Sequence, residues 1–135
     1  MQNKRKITRI IIHCTATPEG RQVTVEDVDR WHRARGFNSI GYHWLIYLDG
    51  SVHAGRSEAE IGAHCRGYNS NSIGVCYVGG LDQNRRPADT RTAAQRQALR
   101  QLVAELQRKY PGATVHGHNE FAPKACPCFQ VPREL

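Results

Sequence analysis

Ile7-Thr8-Arg9-Ile10-Ile11-Ile12-His13-Cys14-Thr15-Ala16-Thr17 is the stretch on which the fold turns. Its β-branched run, Ile10 to Ile12, lacks the polar alternation of a half-exposed strand, so 7–13 reads as a strand covered on both faces. Such a strand lies inside a sheet with helices on either side. It ends on His13, which is thereby carried to the margin of the sheet where a loop begins.

The segments that follow supply the partners. Thr24 can cap a helix over 24–36, with Glu26 and Asp27 in its first turn, Val25, Val28, Trp31 and His32 on one face, and Gly36 to stop it. Aromatic and aliphatic residues alternate over 42–48, and Asp49-Gly50 followed by 51–54 predicts a two-residue hairpin. A further strand is expected over 72–78, limited by Gly74 and Gly79-Gly80, and the punctuated stretch 79–89 reads as a large surface loop. Thr92-Ala93-Ala94-Gln95 is a capping box that opens a second helix, along which Leu99, Leu102, Val103, Leu106 and Tyr110 fall at helical spacing until Pro111-Gly112. A short strand over 113–117 then delivers His116 and His118 to an irregular C-terminal segment. The order strand, helix, hairpin, strand, helix, strand predicts an α/β fold. We expect one domain over 1–135, a mixed central β-sheet flanked by α-helices, with loose ends at 1–6 and 131–135.

The chain has 135 residues, 39% hydrophobic and 23% charged, which suits a single globular core and argues against disorder. No apolar run approaches the roughly 20 residues of a membrane helix, and Met1 to Lys6 lead into the first strand without a signal-peptide pattern. Synthesis in the cytoplasm and no membrane insertion are expected. Five cysteines, an odd number, make free thiols or metal ligands a better reading than a disulfide framework. The net charge of +7 favours an anionic partner such as nucleic acid, a membrane surface or a cell-wall polymer, or serves solubility alone. Lys4-Arg5-Lys6 is the only dense basic tract.

A catalytic zinc ion takes three protein ligands and leaves one position open for water. His118 and Cys126 lie in the segment His118-Asn119-Glu120-Phe121-Ala122-Pro123-Lys124-Ala125-Cys126-Pro127, which its prolines stiffen. His13 could add a third ligand from the sheet margin. By residue type alone, these could equally be three unrelated side chains.

Several segments together resemble the type-two N-acetylmuramoyl-L-alanine amidases, which are related to the peptidoglycan recognition proteins. They are Ile12-His13-Cys14-Thr15-Ala16-Thr17, Trp31-His32, Gly41-Tyr42-His43-Trp44, Asp49-Gly50 and Ala54-Gly55-Arg56. They continue with Gly62-Ala63-His64, Gly67-Tyr68-Asn69, Asn71-Ser72-Ile73-Gly74-Val75-Cys76 and Ala122-Pro123-Lys124-Ala125-Cys126-Pro127. The resemblance implies that one Zn2+ is held by His13, His118 and Cys126, with Tyr42 and Lys124 as catalytic partners. It implies cleavage of the amide between the lactyl group of peptidoglycan and the L-alanine of the stem peptide. In that chemistry Lys124 would stabilise the oxyanion, and the Tyr42 hydroxyl would hold the attacking water or the oxyanion. Peptidoglycan is then the partner, with a monomer expected and nucleic acid not expected. The protein would reach the wall after lysis, membrane opening or delivery from outside.

Among the remaining residues, His64, Asn69 and Arg56 are candidates for substrate binding, and a structural role for His64 stays open. His43 is read as a hydrogen-bonded structural histidine on the opposite strand face, His32 and His53 as structural or exposed, and His116 as outside the ligand set. Cys14, Cys65 and Cys76 are read as structural thiols. Cys128, two residues from the expected ligand, could compete for the metal, form a disulfide or do neither. No carboxylate for proton transfer to the leaving amine can be assigned.

Three other readings compete. One is a peptidoglycan-binding module without activity, against which the retained set His13, Tyr42, His118, Lys124 and Cys126 argues. Another is regulation of an RNA polymerase, which the resemblance raises but no residue set specifies. The third is recycling of wall fragments in the cytoplasm, where the family pattern has Asp in place of Cys126; the thiolate favours the phage or prophage lytic branch.

Overall fold

In the computed structural model, residues 5–135 are described. Strands β1 (Arg9–Cys14), β3 (Trp44–Ile46), β4 (Val52–Ala54), β5 (Ser72–Tyr77) and β7 (Thr114–Gly117) form one sheet in the order β4-β3-β5-β1-β7. β1 is parallel to both β5 and β7, and β3 is parallel to β5 but antiparallel to β4, so the sheet is mixed as expected. The triple isoleucine explains the centre: Ile10, Ile11 and Ile12 are all 0% exposed. Period-two alternation then divides the core. Ile10, Ile12, Ile73, Val75 and Tyr77 pack toward helix α2 (Ala93–Lys109), with Leu99, Leu102 and Leu106 against them. Leu45, Cys76 and Val78 pack on the other face with Val23, Val28 and Ile40 around helix α1 (Val25–Ala34).

Both helices begin as the sequence predicts. The Thr24 side chain accepts from the Asp27 N–H, the Thr92 side chain accepts from the Gln95 N–H, and each capping box is closed reciprocally. Gln95 has a second role: its fully buried amide donates to the Val78 carbonyl at 2.9 Å, tying the start of α2 to the end of β5.

Three expectations need correction. The hairpin loop is not the two-residue Asp49-Gly50 turn, because the Tyr47 N–H bonds to the Ser51 carbonyl and the Gly50 N–H to the Tyr47 carbonyl. That geometry leaves three residues in the loop, with Gly50 at φ 86°, a conformation cheap only for glycine. The 79–89 stretch contains a strand, β6 (Gly80–Leu81), paired in parallel with β2 (Thr17–Pro18) in a second, two-stranded sheet. Strands of two residues carry too little periodicity to be seen in sequence.

The third correction concerns the C-terminus. Residues 131–135, expected as a loose end, include helix α3 (Val131–Glu134), with Val131 0% exposed. Arg91 fastens it: the guanidinium bonds to both Asp89 oxygens and to Glu134 Oε1 at 2.7 Å, and lies 3.4 Å from the centre of the Phe129 ring. At the other end, the expected loose segment 1–6 lies largely outside the described residues, including Lys4. Arg5 itself is anchored, its guanidinium donating to the Glu58 and Ser70 carbonyls.

Arg91 is 2% exposed in its side chain while its partners are 25% and 32% exposed, so its removal strands only half-solvated carboxylates. We expect Arg91→Ala to cost about 2 kcal/mol, below the 3–5 typical of a broken buried pair, read as a lower urea midpoint. An unchanged midpoint would mean that α3 docks through Val131 and Phe129 alone. Among the described residues, no helix is long and apolar enough to cross a membrane.

Candidate active site

Two parallel strands bring the central residues together. The register pairs Ile12 of β1 with Gly117 of β7, so His13 and His118, one residue further along each chain, emerge side by side at the same sheet margin. Their ring centroids are 4.7 Å apart. The irregular segment after β7 folds back to add Cys126, whose Sγ lies 3.9 Å from His13 Nδ1 and accepts the Cys14 N–H at 3.3 Å. One ligand atom from each of His13, His118 and Cys126 lies within 4.8 Å of the others, a set that could hold a metal ion. His116, by contrast, points to Thr114 and Glu120.

The electrostatics favour ligand-competent forms. Burial, then the neighbouring His64, His118 and Lys124, pushes the His13 pKa well below its ordinary value, keeping the imidazole neutral. Burial and Lys124 lower that of His118. The hydrogen bond from Cys14 lowers the pKa of Cys126, while the same contact, with burial, raises that of Cys14 to about 12. The Cys14 thiol thus donates to Cys126, a contact that favours the thiolate at Cys126. A hydrogen bond that Cys128 donates to Cys14, with burial, raises the Cys128 pKa and keeps that thiol protonated. Its thiol donates to the Gly80 carbonyl at 3.2 Å, which turns it away from the three-residue cluster. All five cysteines are free.

His64 supports the site from below. Its Nδ1 lies 2.8 Å from His13 Nε2 and its Nε2 lies 3.2 Å from Ser72 Oγ. Burial, followed by the charges of His43 and His118, lowers its pKa to about 3, so it is neutral and one nitrogen can accept. The consistent assignment has His13 Nε2–H donating to His64 and His64 Nε2–H donating to Ser72, which leaves His13 Nδ1 free to face Cys126 and a metal. The His64 ring rests on Gly74, where a Cβ would lie 2.6 Å from the ring. Gly74→Ala should therefore cost about 1–3 kcal/mol in stability and weaken metal binding on the order of tenfold, measured by urea unfolding and competitive chelation. Wild-type affinity in that variant would show that the contact between the two histidines does not orient His13.

His13, His64 and His118 line a cavity of about 830 Å³. Tyr42 reaches it from the chain entering β3, its ring 5.1 Å from that of His13. Burial, with the neighbouring cysteines, raises the Tyr42 pKa well above the ordinary value, so the hydroxyl remains a hydrogen-bond donor. Lys124 lines the same space from the proline-stiffened loop, with its N–H bonded to the Ala122 carbonyl. No Asp or Glu is among the lining residues.

The substrate-binding candidates separate. His64 and Asn69 both line the cavity, and Asn69 Oδ1 accepts the N–H groups of His64 and Cys65 at 2.9 Å each. Arg56 lies outside the lining: its guanidinium is spent on the carbonyls of Ser39, Ile40 and Ile61, where it holds the wall behind Tyr42. His43 is structural as expected, accepting the Gly74 N–H at Nδ1. Sequence reasoning did not single out Arg35, Phe37, Arg66 or Phe121 as lining residues, nor the Cys14 contact with Cys126. Nothing in local sequence marks them, since each arrives through tertiary folding.

The parallel strands of the mixed sheet thus end in a His/His/Cys cluster beside a cavity that Tyr42 and Lys124 line. The family model described as N-acetylmuramoyl-L-alanine amidase matches residues 3–129. The endolysin of Escherichia phage T7 is 47% identical over 124 residues, 92% of this chain and 82% of the relative. An endolysin N-acetylmuramoyl-L-alanine amidase from Clostridium intestinale superposes with a TM-score of 0.83 at 27% identity, covering 98% of this chain and 82% of that one. Drosophila PGRP-LB superposes with a TM-score of 0.78 at 26% identity, covering 94% and 78%. The chain belongs to the N-acetylmuramoyl-L-alanine amidase family.

Proposed function

We propose that this protein is a zinc-dependent N-acetylmuramoyl-L-alanine amidase of the phage or prophage endolysin type. It would hydrolyse the amide between the lactyl group of N-acetylmuramic acid and the L-alanine of the stem peptide. The observation that carries the reading is the convergence of His13, His118 and Cys126 in one cluster, at the edge of a cavity that His13, His118, Tyr42 and Lys124 line. Two neutral imidazoles and a thiolate are a donor set suited to zinc, and three protein ligands leave a position for water. Bound zinc supplies Lewis acidity and makes a water nucleophilic near neutral pH.

The chain's own residues do the rest. Tyr42 donates a hydrogen bond toward the reacting oxygen, and cationic Lys124 faces the charge that develops on the scissile carbonyl. His64 and Cys14 keep His13 and Cys126 oriented and in the right protonation state. The whole site comes from one chain, so a monomer suffices, and the substrate is the peptidoglycan wall reached after lysis, membrane opening or delivery from outside.

The test is mass spectrometry of peptides released from purified peptidoglycan by zinc-loaded and chelator-stripped protein. We expect stem peptides beginning with L-alanine, released only with zinc. No release by protein carrying one zinc per chain would leave a peptidoglycan-binding module.

A further inference from the structure

We propose that Arg35 and Arg66 recognise carboxylates of the stem peptide, so that the cavity selects an acidic stem peptide over one whose carboxyl groups are amidated. This rests on the amidase reading above. The cavity wall contains the cations Arg35, Arg66 and Lys124 and no acidic residue. With Lys124 directed to the scissile carbonyl, two arginines with exposed side chains remain facing the same space.

Their setting differs from that of ordinary surface arginines nearby. On α1, Arg30 and Arg33 are paired with Asp27 and Asp29 at 2.8 and 2.7 Å. The Arg35 guanidinium instead lies 5.2 Å from the Phe37 ring centre, and among the described residues neither it nor Arg66 is in an ion pair. The charge of Arg35 reaches the cavity interior, where after burial it helps hold the His32 pKa down.

Both arginines stand on pinned backbone. The Arg35 N–H caps α1 through the His32 carbonyl at 3.0 Å, and Gly36 turns away at φ 96°. Arg66 lies between Cys65, whose N–H is held by Asn69, and Gly67 at φ 88°. A fixed base with an unpaired planar guanidinium is suited to bidentate capture of a carboxylate. The glycan side of the scissile amide is uncharged and the peptide side carries the free carboxyls, so the two arginines belong to the peptide side.

The experiment compares kcat/KM for two N-acetylmuramoyl peptides that differ only in a free carboxyl or a carboxamide on the second stem residue. The zinc-loaded wild type should favour the acid on the order of tenfold. Arg35→Gln and Arg66→Gln should each reduce that ratio, and the double variant should bring it close to one. Arg100→Gln, an exposed arginine on α2 away from the cavity, should keep the wild-type ratio, which separates recognition from general attraction to a basic protein. A wild type without preference, or a double variant that keeps it, overturns the proposal. Failure of the wild type to cleave either substrate would remove the amidase reading and this inference with it.

Discussion

Cys126→Ala protein is expected to lose bound zinc and peptidoglycan cleavage together. Cys126 is the only sulfur in the cluster, and two donors, the Cys14 thiol and the Cys14 N–H, lower its pKa and so favour the thiolate a metal would bind. Alanine removes a ligand and leaves His13 and His118 as a two-point site. The loss of zinc affinity should exceed the roughly 10- to 100-fold that follows removal of an outer partner. Cys128 should not substitute, because its thiol is turned to the Gly80 carbonyl and kept protonated. Metal analysis after gel filtration, with peptide release in parallel, tests this. Full activity in metal-free Cys126→Ala protein would sink the zinc assignment.

Lys124→Ala should separate the two properties that Cys126→Ala loses together. The lysine lines the cavity but is not among the clustered ligands, so zinc content should be retained. Its charge opposes a second cation near His13 and His118, whose pKa values it depresses, so metal affinity should if anything rise. If Lys124 faces developing negative charge, kcat should fall about 10²–10³-fold with little change in KM, the usual consequence of losing one oxyanion-stabilising donor. Loss of metal along with activity would make the lysine structural instead.

Cys126 and Lys124 could be named as candidates from the sequence, whereas the contacts that surround them could not. His13 could be placed at a sheet margin because the isoleucine run before it is a local pattern. His118 and Cys126 could be paired with it only through the motif resemblance. That Cys14 holds the Cys126 thiolate depends on a contact between residues 112 apart, and the His13–His64 bond spans 51. Arg56 illustrates the converse: its motif suggested substrate, whereas the chain around it supplies three carbonyls that occupy it.

What the sequence by itself determined was therefore the order of elements and their outward signals: the buried isoleucine strand, the two capping boxes, the amphipathic second helix and the stiff proline-rich loop. Each is set by neighbours within a few residues, through backbone preference, caps and hydrophobic period. Only the tertiary structure decided which side chains share the cavity. The parallel register of β1 with β5 and β7 aligns His13 with Cys76 and brings His118 beside it, and from that alignment follow His64 under His13 and the arginines on the wall. A one-residue slip of that register would turn His13 to the other face of the sheet, so the site exists only once the sheet has closed.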